Sequence, residues 1–201
     1  MERYGSVPLP PYIQRQPERD DANRYQTVYA HVDGSVAAPT AGLHFTPAVL
    51  DSLRTQGVTV AEIVLHIGPG TFKPVAVDDP TDHTMHAEWY RLPEETAAAV
   101  NEARDTGCRV WAVGTTATRV LETVGRDGRL RAAEGWTELF ILPPHDFKVV
   151  DGLLTNFHLP RSTLLMLVCA FGGVEHVLAA YRAAVAAQYR LYSYGDAMAV
   201  V

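Results

Sequence analysis

The chain has 201 residues, 47% of them hydrophobic and 20% charged, the composition of one ordinary globular domain, which excludes disorder and collagen-like repeats. Its formal net charge is -6, so it is no general nucleic-acid binder with a basic surface. The longest apolar run, Leu164 to Phe171, falls far short of the ~20 residues of a membrane span, and the opening Met-Glu-Arg-Tyr-Gly has no signal-peptide core, so a cytoplasmic location without a membrane partner is expected.

In chain order, the prolines of Pro8-Leu-Pro-Pro-Tyr-Ile13 force extended backbone, and the segment reads as a connector. Thr46-Pro47 starts a helix, a capping hydroxyl with proline at the first helical position, and Gly57 ends it. Val58 to Ile67 reads as a mostly apolar strand broken by Gly68. Pro93 opens a second helix, with Glu94 and Glu95 at the positive end of its dipole, and Gly107 closes it. Val110 to Val113 reads as a buried strand, and Gly114-Thr-Thr116 turns into a helix with Val120, Leu121 and Val124 on one face. Trp136 to Leu142 and Leu153-Leu154 read as strands. Ser162 caps an apolar helix. Glu175 to Gln188 reads as an amphipathic helix with Val177, Leu178, Tyr181 and Val185 inward, and Ala197 to Val201 as a last strand.

Strands alternating with helices predict an α/β fold, a mostly parallel sheet flanked by helices. Ligands then gather at the carboxyl ends of strands. Three loops qualify: Gly68 to Phe72, Gly114 to Arg119, and Asn156 to Ser162. The first is glycine-rich, yet it lacks the spacing of a phosphate loop or dinucleotide motif, so a plain turn and a nucleotide cradle both fit it. In the second, free amides at a helix start suit an anionic group. Arg119 and Glu122 share a face there, as a surface ion pair or as site residues.

Cys108 and Cys169 lie in apolar stretches and are expected to be buried, reduced and unpaired. Five arginines between Arg109 and Arg131 (109, 119, 126, 129 and 131) form a solvated loop or a phosphate-contacting patch. Of the eight histidines, His83 and His86 with Glu88 beyond lack a third converging ligand, and no metal is expected. His44, His66, His86 and His158 are all candidate acids or bases, and spacing does not choose among them. No serine sits in a Gly-x-Ser-x-Gly elbow.

Ten collinear segments together carry a resemblance. They are Leu9-Pro-Pro-Tyr-Ile13, Arg24 to Ala30, Gly34-Ser-Val-Ala-Ala-Pro-Thr-Ala-Gly-Leu-His-Phe45, Leu65-His-Ile-Gly-Pro-Gly-Thr-Phe72, Met85-His-Ala-Glu-Trp-Tyr90, Val113-Gly-Thr-Thr116, Phe147 to Asp151, Thr155-Asn-Phe-His-Leu-Pro160, Ser162-Thr-Leu-Leu-Met166 and Ser193-Tyr-Gly-Asp-Ala-Met198. The chain resembles, nearly end to end, the S-adenosylmethionine:tRNA ribosyltransferase-isomerases of queuosine biosynthesis. That family transfers and isomerises the ribosyl group of S-adenosylmethionine onto the aminomethyl group of a 7-deazaguanine wobble base, giving epoxyqueuosine, adenine and methionine. The resemblance implies S-adenosylmethionine as cosubstrate and no metal, and a tRNA anticodon loop as partner, since a base splayed from a single-stranded loop needs only a local pocket.

It also implies site residues. The sulfonium acidifies the adjacent C5′ protons, adenine needs a proton donor to leave, and the acceptor amine must be neutral to attack. His44, His66, Glu88 and His158 are the expected catalytic set. Phe45, Gly68, Pro69, Gly70, Thr71, Phe72, Gly114, Thr115, Thr116, Arg119, Asn156 and Arg161 are the expected cosubstrate contacts. Arg119 and Arg161 suit the methionine carboxylate or an RNA phosphate, and Phe45, Phe72 or Trp89 could cover the sulfonium.

Family members are longer, with an N-terminal segment of the main domain and an inserted small β-barrel. Residues 1–201 are thus expected to form a single α/β domain that is incomplete relative to the family's, with 1–20 an extended remnant of the junction to the barrel. A smaller departure is Ala117-Thr118, where serine and valine are expected. The alternative is a non-catalytic or split-enzyme chain that binds S-adenosylmethionine, tRNA or a separate chain supplying the missing half, for which an unpaired sheet edge offers a surface. An unrelated small-molecule α/β enzyme would require the ten matches to be coincidence.

Overall fold

The structure, a computed structural model, describes residues 7–10, 12–68 and 75–201. Its elements are α1 (Asp21–Arg24), α2 (Pro47–Thr55), β1 (Val64–His66), β2 (Glu88–Leu92), α3 (Glu94–Asp105), β3 (Trp111–Val113), α4 (Thr115–Val124), β4 (Ala133–Thr137), β5 (Gly152–Asn156), α5 (Thr163–Gly172), α6 (Val174–Ala186) and β6 (Ala197–Val200), with 3-10 turns at Thr40–His44 and Pro80–Asp82. Helix starts follow local chemistry. Thr46 Oγ1 accepts the Val49 N–H and Ser162 Oγ accepts the Leu165 N–H, both at 3.2 Å, satisfying one of the orphan donors at each helix start.

The strands form two three-stranded sheets. One runs β1-β2-β4, antiparallel throughout. The other runs β3-β5-β6, with β3 and β5 parallel and β6 antiparallel to β5. The α/β class is therefore as expected, but a mostly parallel sheet is not: parallel pairing is confined to β3 and β5 among the described residues. The reason lies in the connections. β3 and β5 are joined through one helix, α4, and the strand β4 of the other sheet, a long crossover that brings the chain back to enter from the same end. Between β5 and β6 stand two helices, α5 and α6, bent 114° from each other, so β6 enters from the opposite end.

Three further expectations change. The strand foreseen over Val58 to Ile67 forms a ladder only at Val64–His66. The strand foreseen at Trp136 to Leu142 lies earlier, at Ala133–Thr137, because Thr137 Oγ1 takes the Leu139 N–H at 3.2 Å and turns the chain out of the sheet. In α6, Val177 and Ala184 are buried, whereas Leu178 and Val185 are exposed, since α6 presents an i, i+7 strip inward. Cys169 is buried, but Cys108 is exposed on the turn that follows Gly107.

Helix α4 is packed between the sheets. Val120, Leu153 and Val168 are wholly buried, and Leu92, Ile141 and Leu167 nearly so, in one continuous core. The buried Asp21 carboxylate accepts both Arg15 guanidinium nitrogens (2.6 and 2.8 Å), the Glu18 N–H (2.8 Å) and the Tyr194 hydroxyl (3.1 Å). These bonds, the Arg15 pair first, hold its pKa far below the usual carboxylate range. Tyr12 stacks against Tyr192 at 5.0 Å.

Candidate functional site

Parallel pairing sets the carboxyl ends of β3 and β5 side by side, and Gly114 N–H donates to Leu154 O at 2.8 Å. Gly114 has φ 91°, a left-handed conformation that glycine adopts freely. It caps α4 with backbone alone, leaving the first amides of a ten-residue helix open to an anion. The Thr40–His44 turn lies directly over this point: a Cβ on Gly114 would be 3.7 Å from Ala41 Cβ.

β5 ends in Asn156, only 1% exposed. Its Nδ2 donates toward His44 Nε2 (3.1 Å) and to Tyr192 O (3.2 Å). Its Oδ1 is buried without a hydrogen-bond partner, a state that costs about 1–3 kcal/mol unless something fills it. Asp196, held low chiefly by the Arg190 N–H and guanidinium, also feels the charge of His44. His158 Nε2 shares a 2.8 Å hydrogen bond with Thr155 Oγ1, and the His158 N–H donates to the Tyr181 hydroxyl at 2.7 Å. Burial lowers the His158 pKa to about 4 and, as the largest cause, raises that of Tyr181 to about 12.

Beside this cluster a cleft is lined by Met85, Glu88, Thr115, Thr116, Arg119 and Phe140, among others. At its floor Arg119 and Glu88, 5% and 4% exposed, form a hydrogen-bonded ion pair. Arg119 Nε also donates to Leu139 O at 2.9 Å. A surface pair between Arg119 and Glu122 is not found. Both are buried, and Glu122 instead accepts the N–H groups of Lys148, Val149 and Val150 at 2.8 to 3.0 Å. Arg119 thereby leaves the supposed arginine patch, and Arg129 is paired with Asp105 at 3.0 Å.

The remaining candidates are spread more widely. His66, at the end of β1, sits with its ring 5.0 Å from that of Trp89 and directly against Gly34, where a Cβ would be 2.2 Å from His66 Nδ1. Phe45 and Gly68 are half-buried. Pro69, Gly70, Thr71 and Phe72 lie outside the described residues. Arg161 is exposed, at φ 56°, 3.8 Å from Asp78, while its carbonyl accepts the Val75 N–H at 3.1 Å. The structure thus gathers His44, Gly114 and Asn156, and separately Glu88, Thr115, Thr116 and Arg119. Sequence reading missed Tyr192 and Asp196, which lie beside and within the matched Ser193 to Met198 stretch with no further local signal, and it took Tyr181 only as an inward residue of the last helix.

A family model described as a queuosine biosynthesis protein matches residues 1–200. The chain belongs to that family. Curated relatives in it include S-adenosylmethionine:tRNA ribosyltransferase-isomerases of Citrifermentans bemidjiense, 57% identical over 98% of this chain, and of Moorella thermoacetica, 57% identical over all of it. The chain spans 58% of the length of each. The crystal structure of S-adenosylmethionine tRNA ribosyltransferase from Thermotoga maritima superposes with a TM-score of 0.66 at 48% identity, covering 81% of this chain and 51% of that one. Membership of the queuosine biosynthesis family rests on sequence along the whole chain, and the segments that meet around Gly114 and Asn156 are among those matched.

Proposed function

We infer that the chain transfers and isomerises the ribosyl group of S-adenosylmethionine onto the 7-aminomethyl-7-deazaguanine wobble base of a tRNA, with adenine and methionine as the other products. Family membership supports the reaction class. The single structural observation that carries a small-molecule site is the orphaned, buried Oδ1 of Asn156, placed at the carboxyl edge of the parallel pair where such folds hold ligands. An N–H donor of the cosubstrate, on the adenine or the methionine ammonium, would satisfy it.

In this reading the open amides at the start of α4 receive the methionine carboxylate. His44, exposed and tied to Asn156, exchanges protons between the reacting groups and water. It takes the C5′ proton acidified by the sulfonium, and a proton reaches the adenine nitrogen as its glycosidic bond breaks. His158, kept neutral by burial, positions the end of β5 through Thr155. The Arg119–Glu88 pair is fully engaged within the protein and shapes the cleft floor.

The test is adenine release by the purified chain given S-adenosylmethionine and an anticodon stem-loop RNA carrying the precursor base. Release above a no-RNA control supports the reading. No release from a chain shown to be folded by circular dichroism overturns it for this chain alone, and a search for a separate polypeptide that restores release follows.

A further inference from the structure

The outer face of the antiparallel sheet carries an aromatic row. Register pairs His66 with Trp89 and Trp89 with Trp136, so the three residues lie in one line across all three strands, on one face. The other face is the buried one, with Glu88, Tyr90 and Leu92 turned inward. Along the outer row His66, wedged between Gly34 and the Trp89 ring, and Trp89 are half-buried, and Trp136 is 68% exposed. Among the described residues β4 is an edge strand, with Trp136 at the end of the row. Trp89 follows Glu88 directly, so the row lies on the opposite face of β2 from the cleft that Glu88 lines.

We propose that His66, Trp89 and Trp136 form a stacking platform for unpaired bases of the RNA substrate. This rests on the reading of the chain as a tRNA-modifying enzyme and names a surface that would hold unpaired RNA away from the modified base, on the face opposite the cleft. An indole offers a π-face to any base, and neighbouring strands lie ~4.8 Å apart, so successive splayed bases can each meet a ring. A protein partner fits poorly. The next row holds Val64, Arg91 and Glu134 in register, two of them charged and exposed. An aromatic side chain buries roughly 150–250 Å², so the open parts of three rings fall short of the ~800 Å² per partner of a stable interface. Stacking also suits an acidic protein, since it does not require a strongly basic surface to hold RNA locally.

Of the three tryptophans, Trp111 lies on the other sheet. In a Trp111→Phe chain, every remaining indole belongs to the platform. Titration of that full-length chain with the anticodon stem-loop RNA is expected to quench its fluorescence. Trp136→Ala is expected to weaken RNA binding by about tenfold or more by anisotropy, Trp136→Phe to restore most of it, and Trp111→Ala to change it less than about twofold. The loss should persist at high salt, unlike that of a phosphate contact. If the parent chain binds the RNA and Trp136→Ala binds it equally well, the platform is overturned while the functional reading stands. If the parent chain binds no RNA, both fall. If Trp136→Ala instead converts a dimer to a monomer in sedimentation with RNA binding intact, the face belongs to a second copy and the proposal is overturned.

Discussion

Glu88 on β2 and Glu122 on helix α4 are two buried carboxylates, 4% and 3% exposed, and they are satisfied in opposite ways. Glu122 accepts three consecutive backbone N–H groups and fastens the Lys148–Val150 segment to the helix. Glu88 is paired with a guanidinium and lines a cleft. Backbone amides are fixed in place and cannot be traded for a ligand, so Glu122 is committed to the fold. An ion pair beside an open cleft sets the shape and charge of the wall that a ligand meets. Burial alone does not separate the two roles; the identity of the partner does.

The largest expected effect tests the structural side. Glu122→Ala removes the acceptor of three buried donors and is expected to cost about 3–5 kcal/mol, or roughly 10 °C in melting temperature. Activity per folded molecule should be retained. An unchanged melting temperature would remove Glu122 from this role. The cleft side behaves differently. Arg119→Met takes the guanidinium from a buried carboxylate and should destabilise by a similar ~3–5 kcal/mol, but adding Glu88→Leu should recover much of that loss. Adenine release should not recover with it. A double variant that is both stable and active would mean the pair does not shape the site.

The fold was legible where one residue acts on its neighbours. Thr46, Pro93, Gly107 and Ser162 mark helix ends through bonds or backbone conformations spanning a few residues. Strand direction was not, because it depends on how many helices lie between two strands and where they pack. β2 was overlooked for a different reason: Glu88, Tyr90 and Leu92 alternate inward, but a glutamate at the first inward position hides the period, and only Arg119, 31 residues on, explains why it is there. For the candidate site, Gly114 and Asn156 were found through their place after strands. The partners that close the site around them, Tyr192 and Asp196, come from a loop about 40 residues beyond Asn156, which no local pattern links to it.

A smaller effect separates His158 from the exposed histidines. Its pKa falls from 6.5 to about 4 on folding through burial. Between those values the unfolded chain binds a proton that the folded chain refuses, so stability should fall as pH drops from about 6.5 toward 4 and be unaffected by this group above that window. Urea titrations across pH 4–7 should show this slope, and His158→Gln should lower it by up to one proton. A slope that is the same in both chains would show that His158 charges freely in the folded state.

The smallest effect returns to paired arginines. Arg129 meets Asp105 through two 3.0 Å bonds, one from each terminal nitrogen, yet both side chains are more than half exposed. Water already solvates each partner there, and salt screens their attraction. Arg129→Ala is therefore expected to change stability by less than about 1 kcal/mol, and less still in high salt. Set beside Arg119→Met, this gives the same residue type, the same kind of partner and a severalfold difference in cost. A melting temperature that fell as far for Arg129→Ala as for Arg119→Met would show that burial of the cleft pair is not what makes it matter.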